Sequence, residues 1–210
     1  MSVEPLTFMH VYKPPVEDRQ TTLVLLHGTG GDEADLLELG EQLAPGCGML
    51  GIRGKVSENG ANRFFRRLSE GVFDEADLRF RTLELATFLQ QAVTTYRLAP
   101  KALLAVGYSN GANIAASSLL LSPDVFAGAV LFRAMLPLTP DILPVLGNKP
   151  VLIEAGDHDP IVPRERVEGL TVLLQRAGAD CDVQWNHASH ALTRGELAYA
   201  QKWVREKGFA

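Results

Sequence analysis

The chain has 210 residues, 46% of them apolar, and a mean hydropathy of +0.04, enough to bury a substantial core within one α/β domain spanning residues 1–210. Twenty-five acidic side chains against twenty basic ones leave a net charge of -5, which excludes the basic footprint of a nucleic-acid-binding protein. No stretch approaches the roughly 18 consecutive apolar residues of a membrane span, and Met1-Ser2-Val3-Glu4-Pro5 lacks the basic-then-apolar pattern of a signal peptide, so a cytoplasmic location is expected.

The first extended segment is Leu6–Val11, closed by Pro14-Pro15; a second, Thr22–Leu26, is a short apolar run of strand length. It leads into the glycine-rich loop His27-Gly28-Thr29-Gly30-Gly31-Asp32, and then into a helix from Glu33 with Asp32 as its N-cap. Pro45-Gly46 ends that helix, and Cys47–Ile52 reads as the next strand. Cys47 and Cys181, both placed in strands, read as buried reduced thiols, since they match neither a disulfide framework nor a zinc spacing. Residues Arg53–Phe73 are glycine-punctuated, basic and aromatic, without a clear period.

An amphipathic helix follows over Glu75–Leu98, closed by Pro100, and then the apolar run Ala102–Val106. A helix to Leu121, a strand at Gly128–Phe132 and a proline-rich loop from Pro137 to Pro144 come next. Val151–Ala155 is a buried strand leading to Gly156-Asp157-His158-Asp159; Glu165–Ala177 is a helix, Asp182–Trp185 a strand and Thr193–Lys207 a last helix. Apolar strands alternating with helices indicate an α/β fold, a mostly parallel sheet covered on both faces.

Gly107-Tyr108-Ser109-Asn110-Gly111 spells G-x-S-x-G between a strand and a helix, the setting of a nucleophile elbow. A serine hydroxyl is a weak nucleophile and needs a base, which in turn needs an orienting acid. Asp159 and His190 follow Ser109 in the order serine, acid, histidine, each in a loop after a strand. Asp157 and His187 are the alternatives; Asp159 is preferred because some length is needed to carry a carboxylate across to the histidine. His27 reads as structural, its ring bonding across the glycine loop. Oxyanion donors are expected from the backbone N–H of Asn110 and from Thr29. A phosphate-cradling role for the glycine loop is weakened by the absence of G-x-x-x-x-G-K.

Four motifs give the chain a resemblance to the phospholipase/carboxylesterase family of α/β-hydrolases. They are Leu25–Glu33, Gly107–Ala115, Gly156–Pro163 and Ser189-His190-Ala191-Leu192-Thr193. Arg63-Phe64-Phe65-Arg66-Arg67 with Glu70–Asp74 looks like the subgroup associated with hydroquinone and quinone resistance in bacteria. The resemblance implies an α/β-hydrolase fold with Ser109 as nucleophile, Asp159 as acid and His190 as base. It also implies hydrolysis of short-chain carboxylic esters, with lysophospholipids or acyl thioesters as substrates in some members. Ser189 stands where the family often has glycine.

With nearly every residue assigned to core elements, no large cap domain fits, and a small-molecule ester is the expected partner. The wall is expected in Arg53–Phe73, where Phe64 and Phe65 either line a pocket or pack into the core. There Arg63 or Arg66 meets an anionic group or faces water. Arg133 is a candidate for substrate contact or for a structural ion pair. Leu136-Pro137-Leu138 is an apolar wall, surface packing or a homodimer contact. No cofactor is called for, and the histidines are too scattered in sequence to imply a metal site.

Overall fold

Alternation along two central strands fixes the layers of the molecule. In the computed structural model, which describes residues 6–16 and 19–210, the first two strands are β1 (His10–Lys13) and β2 (Thr22–Leu26). Every residue of β2 is buried, yet Leu23 and Leu25 enter one apolar cluster while Val24 and Leu26 enter the other. That is the period of two of a strand covered on both faces.

Next come α1 (Leu37–Leu43), β3 (Gly48–Ile52), and the short strands β4 (Val56–Glu58), β5 (Ala61–Arg63), β6 (Arg67–Ser69) and β7 (Val72–Phe73). The chain continues through α2 (Glu75–Tyr96), β8 (Leu103–Tyr108), α3 (Asn110–Leu121), β9 (Gly128–Phe132) and β10 (Pro150–Gly156). It ends with α4 (Arg164–Arg176), β11 (Asp180–Asn186) and α5 (Arg194–Glu206).

Seven strands form one sheet in the order β1-β3-β2-β8-β9-β10-β11, antiparallel only at β1–β3. Leu85 and Leu89 of α2, Ala112 and Ala116 of α3, and Leu170 and Leu174 of α4 pack on one face. Leu43 of α1 and Trp203 and Val204 of α5 cover the other. The parallel strands deliver their carboxyl ends to one edge, where ligands bind in open α/β sheets. No helix among the described residues is long and apolar enough to cross a membrane.

Several expectations shift. The first strand lies at His10–Lys13, set by its pairing with β3. The helix expected from Glu33 begins only at Leu37: Asp32 Oδ1 accepts from the Ala34 N–H at 2.8 Å, bending the chain locally instead of capping a helix. Cys47 is buried just before β3, whereas Cys181 in β11 is only half-buried. The segment Arg53–Phe73 is two small hairpins, β4–β5 and β6–β7. The last helix starts where expected, because Thr193 and Glu196 form a reciprocal capping box.

Candidate active site

Ser109 sits between the end of β8 and the start of α3 with φ 52° and ψ -111°, a backbone region that costs a non-glycine residue energy. Two flanking glycines make the turn possible. A Cβ on Gly107 would lie 2.6 Å from Ala112 Cα, and one on Gly111 would collide with the Leu26 carbonyl. The Ser109 N–H donates to Phe132 O at 2.8 Å, tying the turn to β9.

The loops after β10 and β11 bring Asp159 and His190 to this serine. His190 Nδ1 is 2.7 Å from Asp159 Oδ2, and Nε2 is 3.0 Å from Ser109 Oγ. The carboxylate can only accept, so Nδ1 carries the proton and Nε2 faces the hydroxyl as an acceptor. The other Asp159 oxygen accepts from the N–H groups of Ile161 (2.8 Å) and Val162 (3.1 Å), which fixes the carboxylate. Such a chain can draw a proton from the serine onto the imidazole.

Two residues hold the His190 loop from behind. Arg133, fully buried with φ 58°, donates through Nε to Ser189 O (2.9 Å) and through Nη2 to Ala191 O (2.7 Å), the carbonyls on either side of His190. It also pairs with buried Glu196 and comes within 3.9 Å of Asp159 Oδ2. The Tyr108 hydroxyl donates to the His190 carbonyl at 3.0 Å. Arg133 is therefore the structural alternative of the two expected for it, and it does not line the cavity.

Across the serine lies the glycine loop. His27 is buried; Nδ1 meets Gly28 O at 2.6 Å, and Nε2 accepts from the Gly54 N–H at 3.0 Å. Accepting at Nε2 requires a neutral ring, and burial holds its pKa below the usual histidine value. His27 thus pins the loop that carries Thr29. No acceptor among the described residues meets the backbone N–H of Thr29 or of Asn110, and both residues line the cavity at Ser109.

That cavity measures about 290 Å³ and is bounded also by Arg63, Arg67, Phe73, Tyr108, Met135 and Ile161. Of the expected wall residues, Phe64 and Phe65 are in the core instead, 1% and 0% exposed, packed on the rings of His27 and Phe73. Arg66 points into water and pairs with Asp74 and Asp77; of the two arginines expected there Arg63 is the one at the cavity, donating to Thr29 Oγ1 at 2.6 Å. Leu136 is bound through its backbone to Arg166 of α4, leaving neighbouring Met135 on the wall. Tyr108, a cavity residue the sequence reading did not assign, could have been found from its place beside the serine in the pentapeptide, whereas Phe73, Met135 and Ile161 carry no local sign of their place.

A second Asp/His group lies on the same two loops. Asp157 Oδ2 is 3.4 Å from His187 Nδ1 and Asp157 Oδ1 is 3.8 Å from His158 Nε2, with all three side chains in contact with solvent. Histidines whose scatter in sequence implied no metal site are thus brought beside one another and beside Asp157 by the β10–β11 pairing.

The family model described as the dienelactone hydrolase family matches residues 52–207, which include the elbow and both loops. The chain belongs to the dienelactone hydrolase family. It is a hydrolase, and it has the α/β-hydrolase fold, with no cap domain among the described residues. MhqD of Bacillus subtilis (strain 168), provisionally named a hydrolase, is 47% identical over 94% of this chain and 98% of its own length. The Bacillus cereus carboxylesterase superposes with a TM-score of 0.92 at 45% identity, covering 95% of this chain and 94% of that one. A carboxylesterase from Mesorhizobium loti matches with a TM-score of 0.87 at 28% identity, over 97% of this chain and 99% of that one. The carboxylesterase kinship expected from the four motifs therefore rests on these relatives, within a family whose name comes from dienelactones.

Proposed function

We propose that this hydrolase is a serine carboxylesterase that cleaves small or short-chain carboxylic esters through an acyl-enzyme. The observation that carries the proposal is the position of His190, with Asp159 at 2.7 Å on one ring nitrogen and Ser109 at 3.0 Å on the other. Ser109 Oγ attacks the ester carbonyl as His190 Nε2 takes its proton, and Asp159 stabilises the imidazolium. The N–H groups of Asn110 and Thr29 receive the developing oxyanion. His190 returns the proton to the leaving alkoxide, and water repeats the sequence in reverse to free the acid and Ser109. The carboxylesterase names of relatives such as the Bacillus cereus enzyme support the ester class. A cavity of about 290 Å³ favours small acyl groups. Two free thiols with no disulfide fit a reducing compartment, and we place the enzyme in the cytoplasm.

A series of p-nitrophenyl esters of increasing acyl length tests the proposal, run beside Ser109→Ala, with acyl-CoA and lysophospholipid as further arms. Turnover should peak at the shortest esters and vanish in the alanine variant. Retained turnover in Ser109→Ala overturns the nucleophile, and a preference for acyl-CoA or lysophospholipid replaces the carboxylester assignment with thioesterase or lysophospholipase.

A further inference from the structure

We propose that Asp157, His158 and His187 form a binding site for one divalent transition-metal ion of the zinc type, bridging the loops that carry Asp159 and His190. One ligand atom from each residue lies within 4.8 Å of the other two. Tetrahedral zinc with bonds of about 2.0–2.1 Å to nitrogen and oxygen sets neighbouring ligand atoms roughly 3.4 Å apart. The Asp157 Oδ2 to His187 Nδ1 separation of 3.4 Å already has that value. His158 Nε2 lies 3.8 Å from the other carboxylate oxygen, and all three ligand atoms fall within 4.8 Å, so the exposed His158 side chain has to turn inward to close the set.

The backbone beneath the three side chains is already ordered. Gly156 and Asn186 are the last paired residues of β10 and β11. Beyond them the Asp157 N–H donates to Asn186 O at 2.9 Å and the His158 N–H to Ala188 O at 3.1 Å. Ion binding therefore orders side chains and not a loop, so little chain entropy opposes it. Side-chain exposures of 31%, 64% and 83% leave room for water in the remaining coordination position. Two imidazoles and one carboxylate favour Zn²⁺, Co²⁺, Ni²⁺ or Cu²⁺ over Mg²⁺ and Ca²⁺, which prefer all-oxygen sites. An ion there clamps the acid loop to the base loop two and three residues before Asp159 and His190, whatever ester the enzyme cleaves.

The test uses the full chain stripped with EDTA and titrated by calorimetry with ZnCl₂, CoCl₂, MgCl₂ and CaCl₂. One Zn²⁺ should bind per chain, and Co²⁺ should give the intense visible bands of a low-coordinate site, with no response to Mg²⁺ or Ca²⁺. Asp157→Ala and His187→Ala should each weaken Zn²⁺ at least tenfold, whereas His190→Ala should leave its affinity within twofold. Undiminished affinity in both Asp157→Ala and His187→Ala, or its loss in His190→Ala, overturns the proposal. Hydrogen exchange on the unsubstituted protein supplies a measurement independent of any variant. Zn²⁺ should slow exchange at residues 157–162 and 186–190, and no change there refutes the clamp.

Discussion

Two aspartate–histidine pairs stand on the same two loops, yet they live in different physical worlds. Asp159 and His190 are 2.7 Å apart with side chains 1% and 19% exposed; Asp157 and His187 are 3.4 Å apart with side chains 31% and 83% exposed. The inner pair is held by the Ile161 and Val162 amides, by Arg133 on both sides of His190, and by Tyr108. The outer pair is carried by the strand ends, with the exposed His158 ring set against both of its members. Residue type does not separate these pairs; the hydrogen bonds behind each one do. A fixed, desolvated pair can orient an imidazole for proton transfer, whereas an exposed pair is screened by water and salt and adds little to stability.

The sharpest way to break this contrast is to remove members of each pair in turn. Ser109→Ala and His190→Ala should lower kcat for a short p-nitrophenyl ester by about 10⁴- to 10⁶-fold. Asp159→Asn should lose on the order of 10⁴-fold, because the amide favours the wrong imidazole tautomer. Should Asp159→Asn remain within tenfold of wild type while Asp157→Asn loses activity, the two pairs have exchanged roles.

Arg133 distinguishes the pairs from behind, since it bonds the carbonyls of Ser189 and Ala191 and reaches neither Asp157 nor His187. Arg133→Ala leaves Glu196 as an unpaired buried charge and should cost about 3–5 kcal/mol of stability by urea unfolding. Arg133→Lys keeps the charge but loses the fork. It should lower kcat by about 10- to 100-fold with KM changed less than threefold, the pattern of a misplaced His190 rather than a lost substrate contact. An unchanged kcat with a raised KM would return Arg133 to the substrate site.

How much of this was legible in the sequence follows from the range of each interaction. Ser109 declares itself locally, because the glycines at 107 and 111 are required by the turn itself. The order of acid and histidine was equally readable, since each follows a short apolar strand. The choice of Asp159 over Asp157 rested on loop length, and its physical basis, the amides of Ile161 and Val162, lies within three residues. Arg133 was readable only as one of two alternatives, substrate contact or structural ion pair. Its partners are 21 to 63 residues away in sequence, and a positive φ in an arginine has no sequence sign. Phe64 and Phe65 left core and cavity undecided for a similar reason: their partners, His27 and Phe73, come from separate segments, and a phenylalanine lines a cavity or a core with the same composition. The cluster at Asp157 exists only because β10 and β11 pair in one particular register.

Glu154, on β10 at the root of both pairs, offers a smaller and pH-dependent handle. It is fully buried; one oxygen accepts from Asn186 Nδ2 at 2.7 Å, and the other has no partner among the described residues. Burial pushes its carboxyl up to about 7, with Glu196 adding to the rise and the Asn186 bond and Arg133 opposing it. Between the ordinary 4.5 and about 7 the unfolded chain releases a proton that the native protein keeps. Stability from this site is therefore fully present below pH 4.5, declines as the pH rises through 7, and is level above. Glu154→Gln should flatten that decline and leave the variant more stable than wild type at pH 8 by on the order of 1–3 kcal/mol, read from urea unfolding at pH 4.5, 6 and 8. Parallel pH profiles for the two proteins would mean that the carboxyl ionises as it does in water.

The smallest effect belongs to the outer pair itself. In EDTA, the double variant Asp157→Asn/His187→Ala removes an exposed carboxylate–imidazole contact but keeps the backbone bonds from Asp157 to Asn186 and from His158 to Ala188. Those bonds, together with Arg133 and Tyr108, already determine where Asp159 and His190 sit, so kcat/KM should fall by less than about threefold and the urea midpoint should stay where it is in the unsubstituted protein. A fall of a hundredfold would mean that the solvent-facing carboxylate and imidazole position the inner pair. The contrast would then collapse into one four-residue network, in which double-mutant cycles between Asp157 and Asp159 would give a coupling well above the few tenths of a kcal/mol expected of independent sites.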